Sequence, residues 1–294
     1  MRYGAIDIGS NAVRLMVKEI REEAEGLRSD KVAYTRVPIR LGEDVFDTGR
    51  IGPAKQKALT KAIQAFRLLL SSMEVVAFRA CATSAMREAE NGAEVVEAIR
   101  SETGVAIEII RGREEADLIF SNFSIASLDA DRDYLYVDVG GGSTELTLIR
   151  QGQRVEAKSF RIGSVRVLKG KVQEGVREGM AEWCRDLIRE HGVTRPIVIG
   201  SGGNINRLYK LAGGVGKKPI TREDLERTHA QLEQATHAEK LNRFGLKPDR
   251  ADVIVPACRI YLDAMDLFGA DTVIVPKVGL GDGMVLELHR QRTG

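Results

Sequence analysis

Two rhythms of hydrophobic and polar positions alternate along this chain, and the series runs twice. Arg2–Ile8, Val13–Ile20 and roughly Leu27–Leu41 are apolar-rich runs that read as three consecutive strands, the first two joined by the turn Gly9-Ser10-Asn11. Pro53–Ser72 then carries Ala58, Leu59, Ala62, Ile63, Phe66 and Leu69 at helical spacing. Its proline sits where a missing N–H has no intrahelical partner. Val75–Ala82 reads as a strand, Thr83–Arg100 as a helix interrupted at Asn91-Gly92, and Val105–Ile110 as a strand. A helix follows from about Arg113, with Ala116, Ile119, Phe120 and Phe123 along one face.

The second half restarts the pattern. Tyr134–Asp138, Thr144–Ile149 and Val155–Phe160 read as strands, Glu174–His191 as a helix and Pro196–Gly200 as a strand. Helical segments fill most of Thr221–Gly269, before a strand at Thr272–Val275 and a final helix after Gly283. A three-strand meander followed by helix–strand alternation, occurring twice, predicts mixed α/β domains with helices packed on sheets. The polar stretch Ser127–Arg132 is the expected boundary, giving domains 1–127 and 128–294, with the terminal helix (about 283–294) able to pack back on the first.

The turns carry the chemistry. Asp7-Ile-Gly9-Ser10-Asn11 is echoed 131 residues later by Asp138-Val-Gly140-Gly141-Gly142-Ser143-Thr144-Glu145. Each is an apolar strand ending in a carboxylate, followed by glycine and a hydroxyl. Successive N–H groups in such turns form anion-binding concavities. Three consecutive glycines cost backbone entropy, and close approach to a phosphate is the most economical compensation. In the first turn Ser10, Asn11 and Arg14 are candidate phosphate contacts, and Asp7 a candidate for holding a metal or its water shell. In the second, Gly140, Gly141, Gly142 and Ser143 are the candidate cradle. Asp138 and Glu145 suit magnesium, a hard ion that uses one or two carboxylates plus substrate phosphates and water.

Further candidates flank them. Glu114, Glu115 and Asp117 open a helix, where acids complement the dipole; a carboxylate there can also take a proton from an attacking water. Arg87 follows Thr83-Ser84 at another helix start and can brace a phosphate bidentately, the alternative being a plain N-cap by Thr83 or Ser84. Gly200-Ser201-Gly202-Gly203-Asn204 can approach a second ligand segment, and Gly279-Leu-Gly281-Asp282-Gly283 can do likewise or simply punctuate a strand-to-helix passage. Basic groups at Lys55, Lys57, Lys61 and Arg67, at Lys169 and Lys171, and at Arg207, Lys210, Lys217 and Lys218 form either solvated faces or a track for a polyanion.

Composition narrows the partners. The net charge of +2, from 44 basic and 42 acidic residues, gives no case for general nucleic-acid binding. Cys81, Cys184 and Cys258 are odd in number and widely spaced, which points to buried thiols in a reducing cytoplasm. No apolar run approaches the roughly 18 residues of a membrane span, and the first strand leaves no room for a secretion signal.

Taken in order, Asp7-Ile-Gly-Ser-Asn11, Arg40-Leu-Gly42, Thr83-x-x-x-Arg87 with Asn91, Glu114-Glu115-Ala, Asp138-x-Gly-Gly-Gly-Ser-Thr-Glu145, Gly163-Ser-Val-Arg166, Gly200-Ser-Gly-Gly203 and Arg250-Ala-Asp-Val-Ile resemble the exopolyphosphatase/guanosine pentaphosphate phosphohydrolase family over nearly the whole chain. That resemblance implies the actin-like fold shared with sugar kinases and heat-shock chaperones: two ribonuclease H-like domains around a central cleft. It implies Glu115 as the base activating water, Asp138 and Glu145 at magnesium, and Asn11, Arg87, Gly140 and Ser143 on phosphates. The implied reaction removes the terminal phosphate of polyphosphate, or the 5′ phosphate of guanosine pentaphosphate, in a cytoplasmic homodimer, with potassium a candidate stimulant. Asp117 stands where the family often has arginine, and so does Gly281; many relatives carry a further C-terminal helical domain that is expected to be missing here. Two other readings are an ATP-using kinase of the same superfamily and a catalytically idle sensor of polyphosphate or alarmone.

Overall fold

The computed structural model describes residues 1–24, 26–122, 128–216, 218–276 and 278–293. Strand β1 (Arg2–Ile8) is the spine of the first sheet, with Tyr3, Ala5, Ile6 and Ile8 almost fully buried. Burial on both faces explains its continuous apolar run. It pairs antiparallel with β2 (Val13–Glu23), which pairs with β3 (Gly26–Val37). On its other side β1 runs parallel to β4 (Ala77–Ala82), and β5 (Glu108–Ile109) completes the order β3-β2-β1-β4-β5.

The predicted third strand stops at Val37, and helix α1 (Leu41–Thr48) follows, an element the strand reading did not anticipate. Two local features end the strand: Pro38 lacks a ladder donor, and Arg40 adopts a left-handed backbone, φ 60°. Leu41, Val45 and Phe46 then bury one helical face, and Gly49, φ 77°, closes it. Helix α2 (Pro53–Ser72) runs as the periodicity predicts. The interruption at Asn91-Gly92 separates α3 (Ser84–Glu88) from α4 (Gly92–Thr103), and α5 (Gly112–Phe120) follows β5.

The second sheet repeats this plan. β6 (Tyr134–Val139), β7 (Thr144–Arg150) and β8 (Gln153–Phe160) form the meander, with α6 (Ser164–Leu168) after it. Then come α7 (Val176–His191), β9 (Ile197–Ser201), α8 (Gly203–Leu211), β10 (Ile220–Thr221), α9 (Arg222–Gln234), α10 (His237–Asn242), α11 (Pro248–Ala251), α12 (Ile254–Phe268) and β11 (Thr272–Ile274). The order is β10-β11-β9-β6-β7-β8, the first sheet's order with one edge strand added. A meander joined to parallel strands in this order is the ribonuclease H-like sheet, and two of them in one chain make the actin-like fold. Helix α12, apolar nearly all round, buries Ile254, Cys258, Tyr261 and Met265 in the second core.

The chain divides into two compact units, Met1–Ile125 with Gly279–Gly294, and Ala126–Val278. Helix α13 (Leu280–Thr293) therefore belongs to the first unit, where its Gly281 abuts Met16 and its His289 lies 3.3 Å from the Tyr3 hydroxyl. It begins three residues earlier than the glycine at 283 suggested. Ser127 at the expected boundary, Phe123 on the helical face and Lys217 in the basic group lie outside the described residues. No described helix is long and apolar enough to cross a membrane. All three cysteines are free and buried, and burial pushes each thiol up to about 12.

Candidate active site

Strand registry places the sequence candidates in one row per sheet. In the first unit Asp7 stands opposite Arg14 on β2 and Cys81 on β4, and Arg14 stands opposite Arg36 on β3. In the second, Asp138 stands opposite Glu145 on β7 and Ser201 on β9, and Glu145 opposite Ser159 on β8. The scaffold is the same and the charge is inverted. Arg14 Nη1 donates to Asp7 Oδ2 at 2.5 Å, whereas in the second row two carboxylates face each other across a strand pair. Like charges at directly opposed positions are destabilising.

Both turns are held by the short helix that follows the third strand. The Gly42 and Arg40 N–H groups donate to the carbonyls of Ser10 and Asn11, at 2.8 and 3.1 Å. In the second unit Ser164 N–H donates to Gly140 C=O at 2.9 Å, and the N–H groups of Val165 and Arg166 share Gly141 C=O at 2.9 and 3.1 Å. Arg166 Nε takes Gly142 C=O at 2.9 Å. In a trans peptide the next N–H points away from the carbonyl, and no peptide here is cis. The N–H groups of Gly141, Gly142 and Ser143 are therefore turned away from α6, in the arrangement that binds anions.

The glycines follow from this packing. A Cβ on Gly163 would lie 2.4 Å from the backbone N and C of Gly142, and one on Gly42 would lie 3.0 Å from Ser10 Cβ. Gly202 has φ +97° and its missing Cβ would meet Asp138 Oδ1 at 3.0 Å. That carboxylate's other oxygen accepts from the Tyr136 hydroxyl at 3.3 Å. Tyr261 of α12 donates to the carbonyls of Ser201 at 2.6 Å and Val137 at 3.2 Å, tying β9 to β6. Burial, reinforced by the Asp138 charge, pushes both phenols well above the usual tyrosine range. Glu145 is buried, its Oε1 accepting from Ser143 Oγ at 2.6 Å and Ser159 Oγ at 2.8 Å.

Glu115 is in the first turn of α5, its side chain 12% exposed, with Oε2 3.9 Å from Arg87 Nη1. The same Arg87 nitrogen donates to Ile110 C=O at 2.7 Å, which fixes the guanidinium at the end of β5. Neither Thr83 nor Asn91 acts as a side-chain cap. Asn91 instead grips the backbone of Ile51, N–H to Oδ1 at 2.9 Å and Nδ2 to C=O at 3.0 Å. The first unit thus carries Asp7, Ser10, Asn11, Arg14, Arg87 and Glu115, and the second Asp138, Gly140, Gly141, Gly142, Ser143, Glu145 and Gly202.

Elsewhere the structure assigns plainer jobs. Lys55 Nζ bridges Glu43 and Asp44 at 3.0 and 2.8 Å, Arg67 donates to Thr103 C=O at 2.5 Å and Arg207 donates to Phe244 C=O, so these members of the basic groups tie elements together. Asp282 accepts from Gly279 N–H at 3.0 Å and pairs with Lys18 at 2.6 Å, so the last glycine segment punctuates the start of α13. Sequence reasoning assigned no role to Tyr136, Ser159 or Tyr261, and named Gly163 and Ser201 only as members of glycine-bearing motifs. For Gly163 a signal was available, since a glycine ends each third strand's connection in both halves; for the hydroxyls there was none.

A sequence profile described as the Ppx/GppA phosphatase family matches residues 19–291, and the chain belongs to that family. It is 29% identical to a bifunctional 3-dehydroquinate synthase/phosphatase of Fusobacterium nucleatum, over 96% of this chain and 46% of that protein. It is 26% identical to exopolyphosphatase 1 of Mycobacterium tuberculosis, over 97% of this chain and 88% of that one. The same identity and share of this chain hold for guanosine-5′-triphosphate,3′-diphosphate pyrophosphatase of Vibrio parahaemolyticus, of which it spans 59%. Among solved structures, that of an exopolyphosphatase-like protein superposes with a TM-score of 0.81 at 28% identity, covering 100% of this chain and 99% of that one.

Proposed function

We propose that the protein is a metal-dependent exopolyphosphatase that hydrolyses the terminal phosphate of inorganic polyphosphate. The observation that carries this reading is the duplicated turn, in which carbonyls are drawn off by a following helix start and N–H groups are left facing outward. Phosphoryl transfer asks mainly for positioning and charge neutralisation. The Gly141–Ser143 N–H groups, Ser10, Asn11, Arg14 and Arg87 supply donors and positive charge to phosphate oxygens. Glu115 takes the proton of the attacking water as its oxygen bonds to the terminal phosphorus and the P–O–P bridge breaks; the bridging oxygen leaves with the shortened chain.

The opposed pair Asp138 and Glu145 fits a hard divalent cation, because its donors are all oxygen and a cation relieves their mutual repulsion. Magnesium held there would neutralise phosphate charge. Asp7, already paired with Arg14, serves in this reading to orient that arginine. Guanosine pentaphosphate is the second candidate substrate, on the strength of the Vibrio relative's activity.

The test is phosphate release from tripolyphosphate, long-chain polyphosphate and guanosine pentaphosphate, each with and without magnesium, by wild type and Glu115→Gln. The variant should bind polyphosphate normally and release phosphate at least about 100-fold more slowly. Near-normal turnover would remove Glu115 from the mechanism, and magnesium-independent release would remove the metal.

A further inference from the structure

Arg79 on β4 lies outside every role given above, yet its guanidinium joins three carboxylates from three elements. Nε and Nη2 bind Glu108 of β5, the closest contact 2.7 Å; Nη2 also meets Glu114 of α5 at 2.7 Å, and Nη1 meets Glu287 of α13 at 2.7 Å. The Arg79 side chain is 17% exposed while Glu108, Glu114 and Glu287 are 53%, 45% and 40% exposed, so what distinguishes the cluster is its geometry, each pair by itself being partly screened by water. Helix α5 has no side-chain cap at Arg111, and its first turn holds adjacent acids, Glu114 and Glu115. Its far end is fixed independently: a Cβ on Gly283 of α13 would overlap Leu118 C=O, and Asn122 Nδ2 donates to Gly279 C=O at 3.3 Å. The uncapped end is the one that bears the candidate base, and Arg79 grips it one residue away.

We propose that Arg79 is a positioning residue that fixes the first turn of α5, and with it the Glu115 carboxylate, using Glu108 and Glu287 as its own anchors. This rests on the reading of Glu115 as the base. Arginine's rigid fork suits the task, since one planar group can hold three acceptors in fixed directions. Removing it leaves three carboxylates converging on one spot, which pushes the uncapped turn off its support.

The experiment measures kcat and KM for tripolyphosphate with magnesium in Arg79→Gln, Arg79→Lys, Glu287→Gln, Glu115→Gln and the double variant Arg79→Gln/Glu115→Gln, with melting temperatures alongside. Arg79→Gln should lower kcat by about 10- to 100-fold, the scale of a sub-ångström to 1 Å misplacement, with KM within about twofold. Arg79→Lys should recover part of the loss, and Glu287→Gln, which removes one half-exposed anchor, should lower kcat by about threefold. In the Glu115→Gln background Arg79→Gln should change kcat by less than about twofold, because groups acting through one another are non-additive. An additive loss, a matching rise in KM, or an unchanged kcat in the single variants would overturn the proposal. A normal rate in Glu115→Gln itself would sink the base assignment instead, which keeps the two failures apart. Should Arg79→Gln fail to fold, Arg79→Lys and Glu287→Gln carry the same test in the same background.

Discussion

Gly163→Ala tests the second candidate phosphate turn without substituting any residue proposed to contact substrate. Gly163 has φ −133° and ψ 160°, an extended backbone that alanine adopts freely, so the substitution adds no conformational strain of its own. What it adds is a methyl carbon 2.4 Å from Gly142 N and C and 2.5 Å from Gly141 C. Ordinary contact begins near 3.4 Å, so the turn or the start of α6 must move by about 1 Å. Overpacking of this kind costs about 1–3 kcal/mol. The same movement loosens the bonds from Ser164, Val165 and Arg166 that aim the turn's N–H groups. A displacement of about 1 Å at a reacting centre costs on the order of 100-fold in rate. The assay is steady-state phosphate release from tripolyphosphate, read with urea unfolding. Gly179→Ala in α7 is the control: nothing lies within 4 Å of its added carbon, and alanine there should gain up to about 1 kcal/mol with activity unchanged. If Gly163→Ala turns over within about threefold of wild type while the control behaves as stated, the turn does not hold the reacting phosphate.

Asp138→Asn should raise the melting temperature of the metal-free protein, because it removes one of two opposed carboxylates; magnesium with pyrophosphate should raise that of the wild type further and leave the variant's unchanged, and differential scanning calorimetry reads both. The three thiols make a pH prediction. Their folded-state values are raised from 9.0 to about 12, so the neutral thiols favour the folded state fully below about pH 9, and that contribution drains away as pH climbs towards 12. Native protein at pH 8 should therefore leave all three unreacted with Ellman's reagent over minutes and show three on unfolding; rapid reaction of any one would contradict its burial.

Much of the fold was legible because its signals are local. The apolar run of β1, the helical spacing and leading proline of α2, and the acid-glycine-hydroxyl turns each announce themselves within a few residues. The helices α1 and α6 were not legible: one is hidden by a strand-like run read as continuing to Leu41, and the other, Ser164–Leu168, is too short for periodicity to register. They matter most to the candidate site, since their N–H groups aim the turns. The basic groups were left open between solvated faces and a polyanion track, because composition does not show which members, such as Lys55 and Arg67, bridge neighbouring elements.

The chain's own order of residues determined two meanders with parallel extensions, the carboxylate at the end of each first strand and the turn glycines after it. Only tertiary structure decided what those carboxylates face. Asp7 meets an arginine and Asp138 meets Glu145 because registry between strands sets which side chains share a row, and registry depends on how whole faces bury. The reason Gly163 must be glycine, and the hold of Arg79 on the helix of Glu115, likewise exist only once segments far apart in the chain are packed within van der Waals reach.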